Sequence, residues 1–206
     1  MPLTAVDLPD PRPVPQAVKK FVAEADLRIE RFQMKSRCPA FVPSDYAGAY
    51  AVLRGLADAS LIRGNRFCEW GSGFGVVTGL AAMLDYEAYG IEVEPDLVTQ
   101  AQLLAEDFGL SAEFARGSFV PRAAESNVCA AGEYAWLTTD GDDSYEELGL
   151  EIDDMDVIYA YPWPDEEDVT AKLFERYAGA GAVLVTYHSA GEGFRVRRKV
   201  ERKKKR

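Results

Sequence analysis

The stretch that most constrains this chain is "RFCEWGSGFGVVTGLAAML", residues 66–84. A short apolar run ends at an acid, Glu69, and three alternate glycines follow, Gly71, Gly73 and Gly75. A smooth apolar segment then runs to Leu84. This reads as a buried strand, a tight turn and a helix, which is the opening unit of a parallel α/β sheet. Glycines at this spacing let the backbone come close to a ligand or to its own neighbours.

The pattern after residue 65 alternates between strand and helix. "YEAYGIEV", "SAEFARGSF", "MDVIYAYPW" and "GAVLVTYHS" read as further strands. Helices are expected over "PDLVTQAQLLAEDFG", with Pro95 at its first position, and over "PDEEDVTAKLFERYAGA". Before the glycines, apolar residues at 18, 21, 22, 25, 29 and 32 follow a helical period. A second helix follows "CPAFVPSDY", with Ser44 expected as its N-cap. Residues 1–15 hold five prolines and read as an extended arm. The domain is expected over 16–194, with N-terminal helices at 16–65 and an α/β core at 66–194. The fold class is a Rossmann-like, doubly wound, mostly parallel sheet. Its C-terminal edge is reduced, because only "GFRVRRKVERKKKR" remains after the fifth strand, enough for one strand at most. An open edge invites pairing, so monomer and homodimer both remain open.

Charge is unevenly spread. The last twelve residues hold nine Lys or Arg against one Glu, while the other 194 hold 14 basic and 33 acidic side chains, and the whole carries −11. Residues 195–206 are expected as a solvated basic tail. A body this acidic argues against nucleic acid as a partner except through that tail. The acidic stretch "DGDDSYEELGLEIDDMD" lacks the glycine and ordered oxygens of a calcium loop, so it reads as a solvated loop and no metal is expected. Three scattered cysteines form neither a zinc pattern nor a disulfide framework. No apolar run has membrane-spanning length, and the N-terminus lacks the regions of a signal peptide, so a cytoplasmic setting is expected.

The glycine turn discriminates between ligands. A nicotinamide-dinucleotide turn would place its third glycine at 76, which is Val76, and no P-loop Gly-Lys-Ser/Thr follows. The form acid-x-Gly-x-Gly-x-Gly resembles the first motif of class I S-adenosylmethionine-dependent methyltransferases. The resemblance implies S-adenosylmethionine as cofactor, with Gly71, Ser72, Gly73 and Gly75 around its methionine part and Glu69 near its charged amino group. Glu92, at the end of "YGIE", then accepts the ribose hydroxyls, in preference to Glu94, and Val93 flanks the adenine. In "ARGSF", Ser118 stands where such enzymes often carry an acid for the adenine amino group, and Phe119 lies against the purine.

The acceptor side is less standard. Amine-methylating enzymes often carry Asn or Asp before Pro-Pro and an aromatic, and here the segment is Tyr161-Pro162-Trp163-Pro164. Tyr161 and Trp163 offer flat walls suited to a cation. His188, the sole histidine, ends the fifth strand and is the candidate base. "FVPS", residues 41–44, together with the glycine motif, is similar to the small protein-lysine methyltransferases typified by the ATP-synthase c-subunit lysine methyltransferase family, in which this segment closes over the cofactor. The remainder resembles small bacterial methyltransferase-like proteins. The expected function is methyl transfer to an acceptor that the residues do not specify, a protein or a small molecule. The alternatives are a non-catalytic module binding S-adenosylmethionine or S-adenosylhomocysteine and, more remotely, a nicotinamide oxidoreductase.

Overall fold

A computed structural model describes residues 3–35, 38, 41–124, 137–138, 144–189, 191 and 193–201. In chain order the elements are β1 (Leu3–Ala5), α1 (Gln16–Lys35), α2 (Tyr46–Asp58), β2 (Arg66–Trp70), α3 (Val76–Ala82), β3 (Glu87–Glu92) and α4 (Pro95–Asp107). β4 (Ala112–Arg116), α5 (Ser144–Leu148), β5 (Val157–Ala160), α6 (Glu167–Tyr177), β6 (Val183–His188) and β7 (Gly193–Lys199) complete them. One seven-stranded sheet has the order β1-β7-β6-β5-β2-β3-β4. The five strands from β6 to β4 are mutually parallel, and β7 is antiparallel to both β6 and β1.

The central strands are buried on both faces, as their continuous apolar character requires. On one face α1, α2 and α3 cover a core that includes Phe21, Leu53, Phe67 and Leu80. On the other, α6 and the residues around α5 cover Cys68, Trp70, Ile158 and Phe174. The helical period of α1 buries Val18, Phe21, Ala25 and Ile29. Phe21 sits so close to Gly79 that a Cβ there would lie 2.5 Å from its ring, so this glycine sets the contact between α1 and α3.

Several expectations change. The sheet edge is not left short: the N-terminal arm supplies β1, pairing Leu3 with Lys199 and Ala5 with Arg197. The arm then crosses α2, where Arg54 donates to the Pro13 carbonyl at 3.3 Å and Arg12 pairs with Asp58. Residues 195–199 of the expected tail are strand, and Lys199 is buried with its ammonium donating to the carbonyls of Arg176 and Ala178. These carbonyls end α6, so the lysine caps that helix. Residues 202–206 lie outside the described ones. Within the acidic stretch, α5 buries Tyr145, and Ile152 and Met155 follow as core; Glu146, Glu147, Glu151 and Asp153 are exposed, while Asp156 is buried on Arg63. The N-cap of α2 is Asp45, whose carboxylate accepts from Gly48 N at 2.9 Å; Ser44 has another partner, given below.

Candidate functional site

The carboxyl ends of β2, β3, β4, β5 and β6 open into one cleft of about 490 Å³. This is where ligands bind in open α/β sheets, beside the reversal of strand order between β2 and β5. Strand alternation places Glu69 on the α3 side of β2 and Trp70 on the opposite side. Glu69 is only 5% exposed. Its Oε2 accepts from the Thr78 amide at 2.8 Å and the Thr78 hydroxyl at 2.6 Å, while its Oε1 has no partner among the described residues. Burial pushes its carboxyl up to about 8; the Thr78 bonds oppose this and the Glu92 charge adds to it.

The three glycines do different jobs. Gly71 lines the cleft, and a Cβ there would meet nothing within 4 Å. Ser72 also lines it, and the amides of both residues donate to the Ile91 carbonyl at 2.9 Å. Gly73 and Gly75 are taken up by the protein itself. A Cβ at Gly73 would lie 2.5 Å from the Phe41 ring, and one at Gly75 would lie 2.5 Å from Phe114 and 2.8 Å from Ala101. Glycine is required at these two positions both by close packing above and behind the turn and by left-handed φ angles of +52° and +66°. Gly73 still serves the site through its amide, which donates to Glu92 Oε2 at 2.8 Å.

Glu92 ends β3, and its Oε1 accepts from the amides of Val93 at 2.8 Å and Glu94 at 3.0 Å. Burial raises its carboxyl pKa, and the three amide bonds hold it back. Both acids line the cleft, but Glu94 is exposed and contributes its amide, whereas Glu92 is buried and held by three amides. Val93 lines the cleft beside it. Ser118 donates to the Thr138 carbonyl at 2.6 Å and accepts from Val120 N at 3.0 Å, so its single proton is committed to holding the loop. Phe119 stacks on Trp70, with ring centroids 5.0 Å apart and planes within 6°. Trp70 was missed as a site residue because it stands between two motif positions on the other face of the strand. The indole N–H of Trp70 and the Ser72 hydroxyl are both buried without a partner among the described residues. Both residues line the cleft, where a polar ligand would satisfy them.

On the other side of Glu69, β5 and β6 carry the remaining candidates. Tyr161 packs edge-on against Tyr187 at 4.9 Å, and Tyr187 against Phe194 at 4.9 Å, so its ring is held from behind. Trp163 lines the cleft half-buried. His188 is buried, with Nε2 2.9 Å from the Thr186 hydroxyl and Nδ1 3.9 Å from Glu167 Oε1. Glu166 and Glu167 also line this part and were not singled out in the sequence, although "PDEE" at a helix start is visible there. Above the turn, residues 41–46 form a cover. Phe41 lies on Gly73 and 5.4 Å from Phe74, and Ser44 shares a short hydrogen bond with the Tyr159 hydroxyl of β5.

No protein-family model matches the sequence, and neither does any curated protein. Solved structures do match in fold. An RNA methyltransferase from Salinibacter ruber, crystallised with S-adenosyl-L-homocysteine, aligns at TM-score 0.52 and 18% identity over 80% of this chain and 98% of that one. A methyltransferase from Geobacter sulfurreducens aligns at 0.51 and 14% over 92% of each chain. An O-methyltransferase from Bacillus cereus, in complex with SAH, aligns at 0.50 and 14% over 84% of this chain and 66% of that one. The chain has the fold of the class I S-adenosylmethionine-dependent methyltransferases.

Proposed function

We propose that this protein is an S-adenosylmethionine-dependent methyltransferase. The observation that carries the reading is the pair of buried carboxylates, Glu69 and Glu92, at the ends of adjacent strands on either side of Gly71. Glu69 keeps one oxygen for a ligand cation, and a cation in so dry a place requires a carboxylate. Glu92 lines the cleft and is oriented by three backbone amides, which leaves it acceptor capacity for a ribose hydroxyl. The buried Trp70 N–H and Ser72 hydroxyl, without a partner among the described residues, add two polar groups that a polar ligand would satisfy. Fitted there, S-adenosylmethionine supplies a methyl group already activated on a sulfonium.

The chain's own residues then have three tasks. Glu69, Gly71, Ser72 and Glu92 bind the amino-acid and ribose parts, with Gly73 acting through Glu92. Val93 and Phe119 flank the base, and Ser118 offers it a hydroxyl oxygen. Tyr161 and Trp163 wall the acceptor side and exclude water, and His188 is placed to take a proton. Catalysis of this kind rests mainly on holding donor and acceptor in line.

Isothermal calorimetry with S-adenosylmethionine, S-adenosylhomocysteine and NADH tests the reading. Binding of the first two and not of NADH is expected; no binding of either would sink it. Cofactor binding with no transfer to any acceptor would select the non-catalytic module instead.

A further inference from the structure

The cleft divides along the strand order. The cofactor residues lie over β2, β3 and β4. Over β5 and β6 the walls are Tyr161, Trp163, Glu166, Glu167 and His188. Among the described residues that line the whole cleft there are five glutamates and neither Lys nor Arg. The β5–β6 side thus combines aromatic faces with two carboxylates at the start of α6. We infer that the methyl acceptor is an alkylammonium group, bound between Tyr161, Trp163 and the Glu166–Glu167 pair, and that phosphate- or carboxylate-bearing acceptors are excluded.

The inference rests on the methyltransferase reading and adds the acceptor's chemistry. Among the described residues that line this cleft, an anion meets carboxyl groups and no guanidinium or ammonium to receive it. A cation meets aromatic faces, which attract it through the ring quadrupole, and carboxylates beside them. The Trp70 N–H and Ser72 hydroxyl, buried without a partner among the described residues, line the same cleft at the end of β2. An alkylammonium must lose a proton before its nitrogen has a lone pair to react. Glu167 and His188, 3.9 Å apart, stand on this side to take it. The freed lone pair then forms the N–C bond as the S–C bond breaks, the sulfonium becomes a thioether, and the product leaves as a methylated ammonium.

The test uses three benzyl- or phenyl-based probes of similar size on protein saturated with S-adenosylhomocysteine: benzylamine, benzyl alcohol and benzoate. Their affinities are read by calorimetry. Benzylamine, cationic at neutral pH, is expected to bind at least tenfold tighter than benzyl alcohol, with benzoate weakest. Glu167→Gln is expected to reduce that preference severalfold while the affinity for S-adenosylhomocysteine stays at the wild-type value, which also reports that the variant is folded. A lysine-containing peptide and benzylamine, offered with methyl-labelled cofactor, distinguish a protein lysine from a small amine as the source of the ammonium. Equal or tighter binding of benzoate or benzyl alcohol, or no binding of benzylamine at millimolar concentration, overturns the inference while leaving cofactor binding intact. Failure of S-adenosylhomocysteine to bind removes the underlying reading, and this inference with it.

Discussion

The two halves of the cleft are built by different means. The half over β2–β4 is made of local sequence. Glu69 bonds Thr78 nine residues on, and Glu92 bonds its next two amides and that of Gly73. The half over β5–β6 is assembled from distant pieces: Ser44 meets Tyr159, Tyr161 meets Tyr187, and His188 faces Glu167. A rigid, backbone-satisfied seat suits a fixed cofactor. A side-chain wall suits an acceptor whose identity is set by charge and shape. The contrast makes distinct demands on substitutions in the two halves.

The largest expected effect is on the cofactor side and depends on pH. Glu69 has a folded pKa of about 8 against an ordinary value of 4.5. The folded state therefore binds more protons than the unfolded state between those values. Stability of the cofactor-free protein falls as pH rises through that window, by up to about 1.4 kcal/mol per pH unit. It levels off above the folded pKa. Thermal denaturation from pH 5 to 9 should show the fall, and Glu69→Gln should flatten it. Parallel curves for the two proteins would mean that Glu69 is not held in a dry seat, and the contrast between the halves would break.

Gly75→Ala comes next. The residue has φ +66°, and a new Cβ meets Phe114 and Ala101. Left-handed strain of about 1 kcal/mol and overpacking of similar or larger size add to a loss of about 3 kcal/mol. Chemical denaturation measures it. Trp163→Ala, half-buried on the acceptor wall, should cost far less in the same assay. If the two losses were equal, the acceptor wall would be as much a part of the core as the glycine turn is.

Glu92→Ala sharpens the comparison by affinity. It removes a carboxylate that three amides orient and that is assigned to the ribose. Hydrogen bonds to a charged group contribute about 1.5–3 kcal/mol each, so the dissociation constant for S-adenosylhomocysteine should rise ~100-fold. Calorimetry reads this directly. A change below threefold would take Glu92 out of the cofactor seat.

The same contrast explains what the sequence made legible. The strand, glycine turn and helix are contiguous, so Glu69, Gly71 and Glu92 were visible from spacing, as was Pro95 at the first position of α4. The separate roles of Gly73 and Gly75 were not, because Phe41 and Phe114 reach them from 32 residues before and 39 residues after in the chain. β1 was invisible for a similar reason. "LTA" carries no usable periodicity, and its partner Lys199 lies at the other end of the chain. The basic residues of β7 read as a solvated block because the burial of Val196 and Lys199, three apart and so on opposite faces of the strand, emerges only once β1 and β6 flank it. Glu166 and Glu167 looked like ordinary first-turn acids favourable to a helix dipole. Only the fold turns them toward the cleft beside His188.

The smallest predicted effect lies at the seam between the halves. The Tyr159 hydroxyl, on β5, shares a hydrogen bond with Ser44 in the segment that covers the glycine turn. Tyr159 is buried, so Tyr159→Phe keeps the packing and removes one hydrogen bond, leaving Ser44 to find another partner. A loss of about 1 kcal/mol in stability is expected. The functional consequence should be asymmetric. Phe41 rests on Gly73, whose amide orients Glu92, so loosening residues 41–45 acts on the cofactor side through that contact. Affinity for S-adenosylhomocysteine should fall a few fold, while the preference for benzylamine over benzyl alcohol stays as in the wild type. Calorimetry on the one variant gives both values. If the preference for benzylamine over benzyl alcohol shifts and the cofactor affinity does not, the cover belongs to the acceptor wall, and the boundary between the two halves moves from β5 to the glycine turn itself.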